Sequence, residues 1–407
     1  MKITIYNPSM RSGGTNNLLA NLAVLLSFEK DLDINYIEYP GGSTIDYVKK
    51  SADQLYIKHI SPPEKVILDD GLLIMTLLDV KNIYSQMVLG DNVRLLLWST
   101  HPDDAIKILP TFNFFYHVEK HLRLRIANLI TPIQKKKTRM LLNKGIELNG
   151  LVWMDNHNFE VNDYFYNLNK DKIEIWPLVV SSSKVKFITH VKTSNNQKIN
   201  IVILGRLCDF KVNPILALLE SAHDIRDKII LNFIGTGDHQ EILENKLKKL
   251  SYSYNFVGNV DKSILDEELL KYDILLGMGT SVLEGAKLGM PSIVMNGTYI
   301  RNSKVPLFEW IYNCPEYFIG ELEELSEYSK LNSHFNNLLD DVAENAEYVG
   351  NCCLEHFTKY HSDESFKTIA INTINTNQFY FGEIKSYVKL TLGNQSVNWL
   401  KSLIKKI

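Results

Sequence analysis

Short apolar runs alternate with segments of helical periodicity along most of this chain, the pattern of a parallel sheet fed by crossover helices. Residues 2–7 alternate apolar and polar and read as a first strand. Residues 8–15, PSMRSGGT, make a glycine-containing loop, and 16–28 carry the run LLANLAVLL of a helix buried between a sheet and its cover. Further strands are expected at 33–39, 65–68 and 72–78, the last two separated by the turn Asp69-Asp70-Gly71. A helix is expected at 83–89, a buried strand at 94–99 (RLLLWS) and another at 151–154. The alternation then restarts with strand 200–204, helix 214–222, strand 229–234, helix 240–250, strand 255–257 and helix 264–271. Residues 271–296 read as strand, tight turn, helix, turn and strand. Beyond 301 the pattern is less regular: 308–318 is rich in aromatics and 322–353 is largely helical and amphipathic.

Two successive strand–helix series imply two doubly wound α/β domains. Ile175-Trp176-Pro177, the run Ser181-Ser182-Ser183 and polar residues 193–198 mark the junction. The expected division is 1–180, 181–380 and a helical tail at 381–407. The length of 407 residues accommodates it. A content of 45% hydrophobic and 22% charged residues is that of an ordinary globular protein. The net charge of −3 gives no reason to expect nucleic acid. The four cysteines (Cys208, Cys314, Cys352, Cys353) lack metal-ligand spacing and fit a reduced, cytoplasmic setting. The first residues, MKITIYNPS, lack the apolar run of a signal peptide, and no apolar stretch reaches membrane-spanning length.

The chemistry concentrates in 271–296. Gly277 and Gly279 permit a sharp turn with close backbone approach. Thr280 and Ser281 are both N-cap residues by type, with Glu284 at capping-box spacing. A helix start laid open by glycines offers N–H groups, here those of Ser281, Val282 and Leu283, to a phosphate. An acidic side chain a turn deeper suits ribose hydroxyls. The competing reading is an ordinary βαβ unit in which Glu284 only caps its helix.

The run TSVLEGAKLGMPSIV resembles the nucleotide-sugar signature of GT-B glycosyltransferases, in particular the retaining family 4 (glycosyl transferases group 1). That pattern runs small residue, then Glu-Ala-Met-Ala-x-Gly-x-Pro-Val-Val. Three upstream pieces match in order: IVILGRLCDFK at 201–211, ILNFIGTGD at 230–238, and NFVGNV at 255–260. The resemblance implies two Rossmann-like domains facing across a cleft. It also implies a nucleoside-diphosphate sugar as donor and a saccharide or lipid-linked saccharide as acceptor. Retention of configuration and no metal cofactor are implied as well. It places Gly205, Gly258, Val260 and Gly279 to Leu283 at the donor, and Gly13 and Gly14 in a loop at the cleft, where a plain surface turn is the competing reading. Arg206 and Lys211, shortly after a strand end, can neutralise charge building on the departing phosphate. Gly235, Gly237 and Asp238 are expected as turn residues bordering the donor. His101 follows the strand 94–99, where a doubly wound sheet collects function, and a His there can move a proton near neutrality. His117 is its alternative. Asp155, Asn156 and His157 end another strand without distinctive spacing. The family's motif has a first glutamate eight positions before the second; here that position is Leu276.

Residues 120–144 are basic with interleaved apolar residues, and 396–407, SVNWLKSLIKKI, form a short basic amphipathic segment. Such stretches fit an anionic membrane surface at the inner face of the cell membrane, or a solvated or packed helix face. The abundance of Asn, Lys and Ile suggests an AT-rich bacterial source, a context that fits surface polysaccharide assembly. Two other readings compete: a nucleotide-sugar 2-epimerase, which needs more carboxylates around the sugar, and a non-catalytic GT-B scaffold.

Overall fold

The computed structural model describes residues 1–388 except 11–13, 53–54, 62–63, 110–123, 126–127, 130, 171, 184, 186–197, 302–304 and 327–328. Its contacts form two units: Met1–Leu178 with the chain from Phe366 onward, and Val179–Ser365. The return to the first unit begins at Phe366, before the expected 381, because this side chain belongs to an aromatic cluster there. Its ring stacks on Trp98 at 5.7 Å and meets Trp176 edge-on at 5.5 Å. Trp176 Nε1 donates to Thr373 Oγ1 at 3.1 Å, fixing the returning helix Asp363–Thr376.

The first unit contains β1 (Lys2–Tyr6), β2 (Asp33–Glu38), β3 (Tyr56–His59), β4 (Val66–Leu68), β5 (Leu72–Thr76), β6 (Met87–Leu89), β7 (Arg94–Ser99) and β8 (Leu151–Trp153). Six of them make a parallel sheet in the order β3-β2-β1-β5-β7-β8. All five residues of β5 are buried, as a central strand covered on both faces requires. One expectation fails here. Only Ile83–Gln86 is helical, and Met87–Leu89 pairs with β4 in a separate two-stranded sheet. The alternation of buried Met87, exposed Val88 and buried Leu89 is a strand period that a short apolar run conceals.

The second unit contains β9 (Ile199–Leu204), β10 (Ile229–Ile234), β11 (Ser253–Gly258), β12 (Ile274–Gly277), β13 (Ser292–Met295) and β14 (Phe308–Trp310). Their order is β11-β10-β9-β12-β13-β14, parallel except for the antiparallel edge strand β14. The helix after β9 spans Asp209–Ser221 and starts five residues before the expected 214, with Pro214 inside it. A proline there leaves the carbonyl four residues earlier without its helical donor. The Phe210 carbonyl instead accepts from Thr298 N–H at 2.8 Å, so the loop after β13 closes the helix's gap. The long helix expected from 322 begins only at Phe335 and runs to Tyr360. No described helix is long and apolar enough to cross a membrane.

Candidate active site

Chemistry in the second unit gathers at the C-terminal ends of β9, β10, β11 and β12. Gly205, with φ +143°, follows β9 and donates its N–H to Ile234 O at 2.9 Å. Gly235, with φ +125°, donates to Gly258 O at 2.8 Å. A Cβ on Gly235 would lie 2.1 Å from the Gly205 carbonyl oxygen, and one on Gly237 would lie 2.3 Å from that of Leu207. The strand-end turns therefore lock backbone to backbone, and only glycine fits.

This packing delivers two cations to one place. A Cβ on Gly205 would lie 3.0 Å from Lys211 Nζ and 3.3 Å from Ser281 Oγ. The missing side chain lets Lys211 and Ser281 come close to the backbone of the turn. Burial holds the Lys211 ammonium below the ordinary lysine range; Cys208 opposes the shift and the Arg206 guanidinium adds to it. Arg206 is exposed. Among the described residues no carboxylate pairs with either cation.

The helix after β12 is Thr280–Ala286, and its N-cap is Gly279, with φ +66° and no side-chain cap. Thr280 and Ser281 thus lie inside the helix, and the capping box expected of Glu284 does not form. The Val282 N–H, one of the donors expected to be open, is bonded to Gly279 O at 3.3 Å. Val282 and Leu283 are wholly buried. Leu276 lies within β12, opposite Ile203 and Ile293, and is fully buried. A buried strand residue thus stands where the resembled motif has its first glutamate. Glu284 is buried, with Lys287 Nζ 2.6 Å from its Oε2. Gly258 (φ +82°) has open space at its Cβ position, and Val260 is half-buried nearby in the chain.

In the first unit, His101 follows β7. Its Nδ1 accepts from Asp103 N–H at 3.1 Å, which assigns the proton of the neutral ring to Nε2. Burial, with Lys107 adding to it, pushes its pKa down to about 3. A ring that is neutral at physiological pH and protonated on Nε2 can donate a hydrogen bond from that atom. Asp104 Oδ2 accepts from the N–H groups of Thr100 (2.9 Å) and His101 (3.0 Å), and burial raises its pKa to about 6. Gly14 starts the helix Gly14–Ser27 in open space. Gly13 and His117 lie outside the described residues, as do 396–407 and part of 120–144.

No protein-family model matches the chain, and no curated protein matches it significantly. Solved structures do. Anabaena HepE in complex with UDP and glucose is similar at a TM-score of 0.55, with 11% identity over 92% of this chain and 99% of that one. A variant of S. aureus TarM, in complex with fondaparinux, alpha-GlcNAc-glycerol and UDP, reaches 0.57 with 10% identity over 92% and 99%. Sucrose-phosphate synthase of Thermosynechococcus elongatus reaches 0.57 with 11% identity over 92% and 98%. The fold is GT-B.

Two sets of polar residues in this GT-B chain escape sequence reasoning. The first supports His101: Asn158 Nδ2 donates to Ser99 O (3.0 Å) and Asn162 Nδ2 to Pro102 O (3.0 Å). Both stand on the helix Asn156–Tyr166, whose N-cap Asp155 accepts from Asn158 N–H. Their four-residue spacing was visible, but the loop they hold lies about sixty positions away. The second is Lys287, whose spacing from Glu284 was a legible signal, with Asp266 and Ser183 beyond it.

Proposed function

We infer that this chain is a glycosyltransferase whose second unit binds a nucleoside-diphosphate sugar. One observation carries the reading: the half-buried, partly desolvated Lys211 ammonium has no carboxylate partner among the described residues, lies against the Gly205 turn, and has Arg206 as neighbour. An unpaired, partly desolvated cation is unfavourable in isolation and becomes favourable when an anion arrives. A diphosphate supplies that anion. As the glycosidic bond breaks, negative charge grows on the β-phosphate. Two cations placed at the strand ends stabilise it more in the transition state than in the ground state. They fill the electrophilic role without a divalent ion, so the reaction is metal-independent. UDP in the HepE and TarM structures makes uridine the first base to test. By resemblance the incoming hydroxyl gives its proton to the departing phosphate and configuration is retained. His101 Nε2–H suits a sugar hydroxyl rather than proton transfer.

The acceptor is a saccharide, soluble or lipid-linked. The helix Pro132–Glu147 supports membrane contact on an anionic inner leaflet: Ile133 is 64% and Met140 41% exposed, with Lys136 and Arg139 exposed beside them.

The test is a thermal-shift panel of UDP, GDP, ADP, CMP and their sugar conjugates, with and without magnesium. A ligand of the folded state raises the melting temperature by mass action. The expected result is a shift with one diphosphate that magnesium leaves unchanged and that Lys211→Ala removes. No shift with any nucleotide sinks the donor-binding reading and favours a non-catalytic scaffold.

A further inference from the structure

Glu284 is held by a partner that departs from the resembled motif. That motif has alanine three positions after its glutamate, and this chain has Lys287. Lys287 Nζ lies 2.6 Å from Glu284 Oε2 and 2.8 Å from Asp266 Oδ1. Asp266 Oδ2 in turn accepts from Ser183 Oγ at 2.6 Å. The Lys287 side chain is 7% exposed. Burial works against its charge, but the Glu284 and Asp266 carboxylates outweigh it and its pKa rises above the lysine range. The ammonium is therefore charged and committed.

The arrangement treats the two oxygens of Glu284 differently. Oε2 is enclosed, with Lys287 as its ion-pair partner outside hydrogen-bond geometry. No group among the described residues bonds Oε1. One oxygen is fixed and the other is left to accept from a hydroxyl. A bare carboxylate there would also repel a diphosphate at the neighbouring strand ends, and the Lys287 charge offsets that repulsion.

We propose that Lys287 is a positioning residue for the nucleotide. It clamps Oε2 of Glu284 so that Oε1 accepts from the ribose diol, while Asp266, anchored by Ser183, keeps Lys287 in place. This rests on the donor-binding reading above. Alanine at this position would leave Glu284 free to change rotamer and would take from Glu284 and Asp266 their shared counter-ion. Ribose recognition in this chain thus depends on a residue outside the signature.

The test compares UDP with 2′,3′-dideoxy-UDP by calorimetry on the full chain and on Glu284→Gln, Lys287→Met, Lys287→Arg and Asp266→Asn. If GDP or ADP gives the larger thermal shift, the corresponding pair is used. Wild type should prefer the ribonucleotide by about tenfold, the worth of one lost hydrogen bond to a charged acceptor. Lys287→Met should reduce the preference to within about twofold, as should Glu284→Gln. Asp266→Asn should fall between wild type and Lys287→Met, and Lys287→Arg should keep most of the preference. A merely structural Lys287 would weaken both nucleotides equally and leave their ratio intact. That result overturns the proposal and leaves donor binding standing. A wild-type ratio near one, with tight UDP binding, also overturns it. Absence of binding by any nucleotide removes the donor reading and this proposal together. Should Lys287→Met fail to fold, Asp266→Asn carries the comparison alone, and an unchanged ratio there overturns the proposal.

Discussion

At the C-terminal ends of its strands the first unit is closed by side chains and the second by backbone. In the first, Asp104 takes the N–H groups of Thr100 and His101, Asn162 takes the Pro102 carbonyl, and Thr44 Oγ1 donates to Glu38 Oε2 at 2.8 Å. In the second, Gly235 turns against Gly205 and Gly237 against Leu207, and no carboxylate among the described residues pairs with Lys211 or Arg206. Both sheets run in the same relative order. The difference therefore lies in what finishes the turns. In the first unit, side-chain hydrogen bonds hold the loop after β7. Where glycine finishes the turns, the cations keep no carboxylate partner among the described residues, which is what the proposed donor site needs.

The largest effect should come from removing those cations. Lys211→Ala and Arg206→Ala should each lower turnover by about 10²–10³-fold, the scale of losing one preorganised donor to a developing charge. Lys211→Ala should also abolish the thermal shift with UDP. Full turnover in both, from folded protein, would erase the contrast between the two ends.

That contrast was partly legible in the sequence. Four glycine-bearing motifs in order announced the second strand-end cluster because the turns need glycine at fixed offsets, and Gly205 and Gly235 do take positive φ. Arg206, Lys211 and Glu284 could be named because each lies within a few residues of such a turn. Asn158 and Asn162 could not, since nothing in a helix's own sequence says which distant loop it holds. Pro214 misled for a physical reason: its helix passes through it because Thr298, eighty-odd residues later, takes the freed Phe210 carbonyl. The capping box failed similarly. Glu284 had two partners within reach of its helix, and the Lys287 ammonium won over the N-terminal backbone.

The backbone closure itself can be broken. Gly235→Ala places a Cβ against the Gly205 carbonyl at positive φ, so a loss of about 2–4 kcal/mol is expected from combined strain and overlap. Gly14→Ala meets open space at a helix start and should be neutral or stabilising by up to about 1 kcal/mol. Denaturant midpoints of the two variants check this. Equal midpoints would show that the second unit's turns tolerate side chains after all. The side-chain closure of the first unit should be somewhat more forgiving. Asn162→Ala strips the donor from Pro102 O and should destabilise by about 1–3 kcal/mol. It should also weaken a His101-dependent step without touching UDP binding. A loss of UDP affinity in Asn162→Ala would contradict the separation of roles.

The smallest effect concerns pH and tests whether the first unit's end is as self-satisfied as its bonds imply. His101 has its pKa lowered to about 3 from 6.5, so between those values the unfolded chain holds a proton that the folded chain refuses. Its contribution to stability is full above 6.5 and is lost as pH falls toward 3. Asp104 is raised to about 6 from 3.8, so there the folded chain holds the extra proton, and its contribution is lost as pH rises from 3.8 to 6. From about pH 4 to 6 the two slopes have opposite sign and nearly cancel. Asp104→Asn keeps an acceptor for the Thr100 and His101 N–H groups and removes only the opposing proton. Its stability relative to wild type should therefore fall by about 1.4 kcal/mol for each pH unit between 6 and 4. Tryptophan fluorescence follows this unit through buried Trp98, Trp153 and Trp176. Parallel profiles would mean that Asp104 titrates alike in the folded and unfolded chain, whereas an Asp104→Asn stability that is itself flat between pH 6 and 4 would mean that His101 takes up its proton in the folded state. The loop after β7 would then be an acid–base site, and the neutral-donor role argued for it would fall.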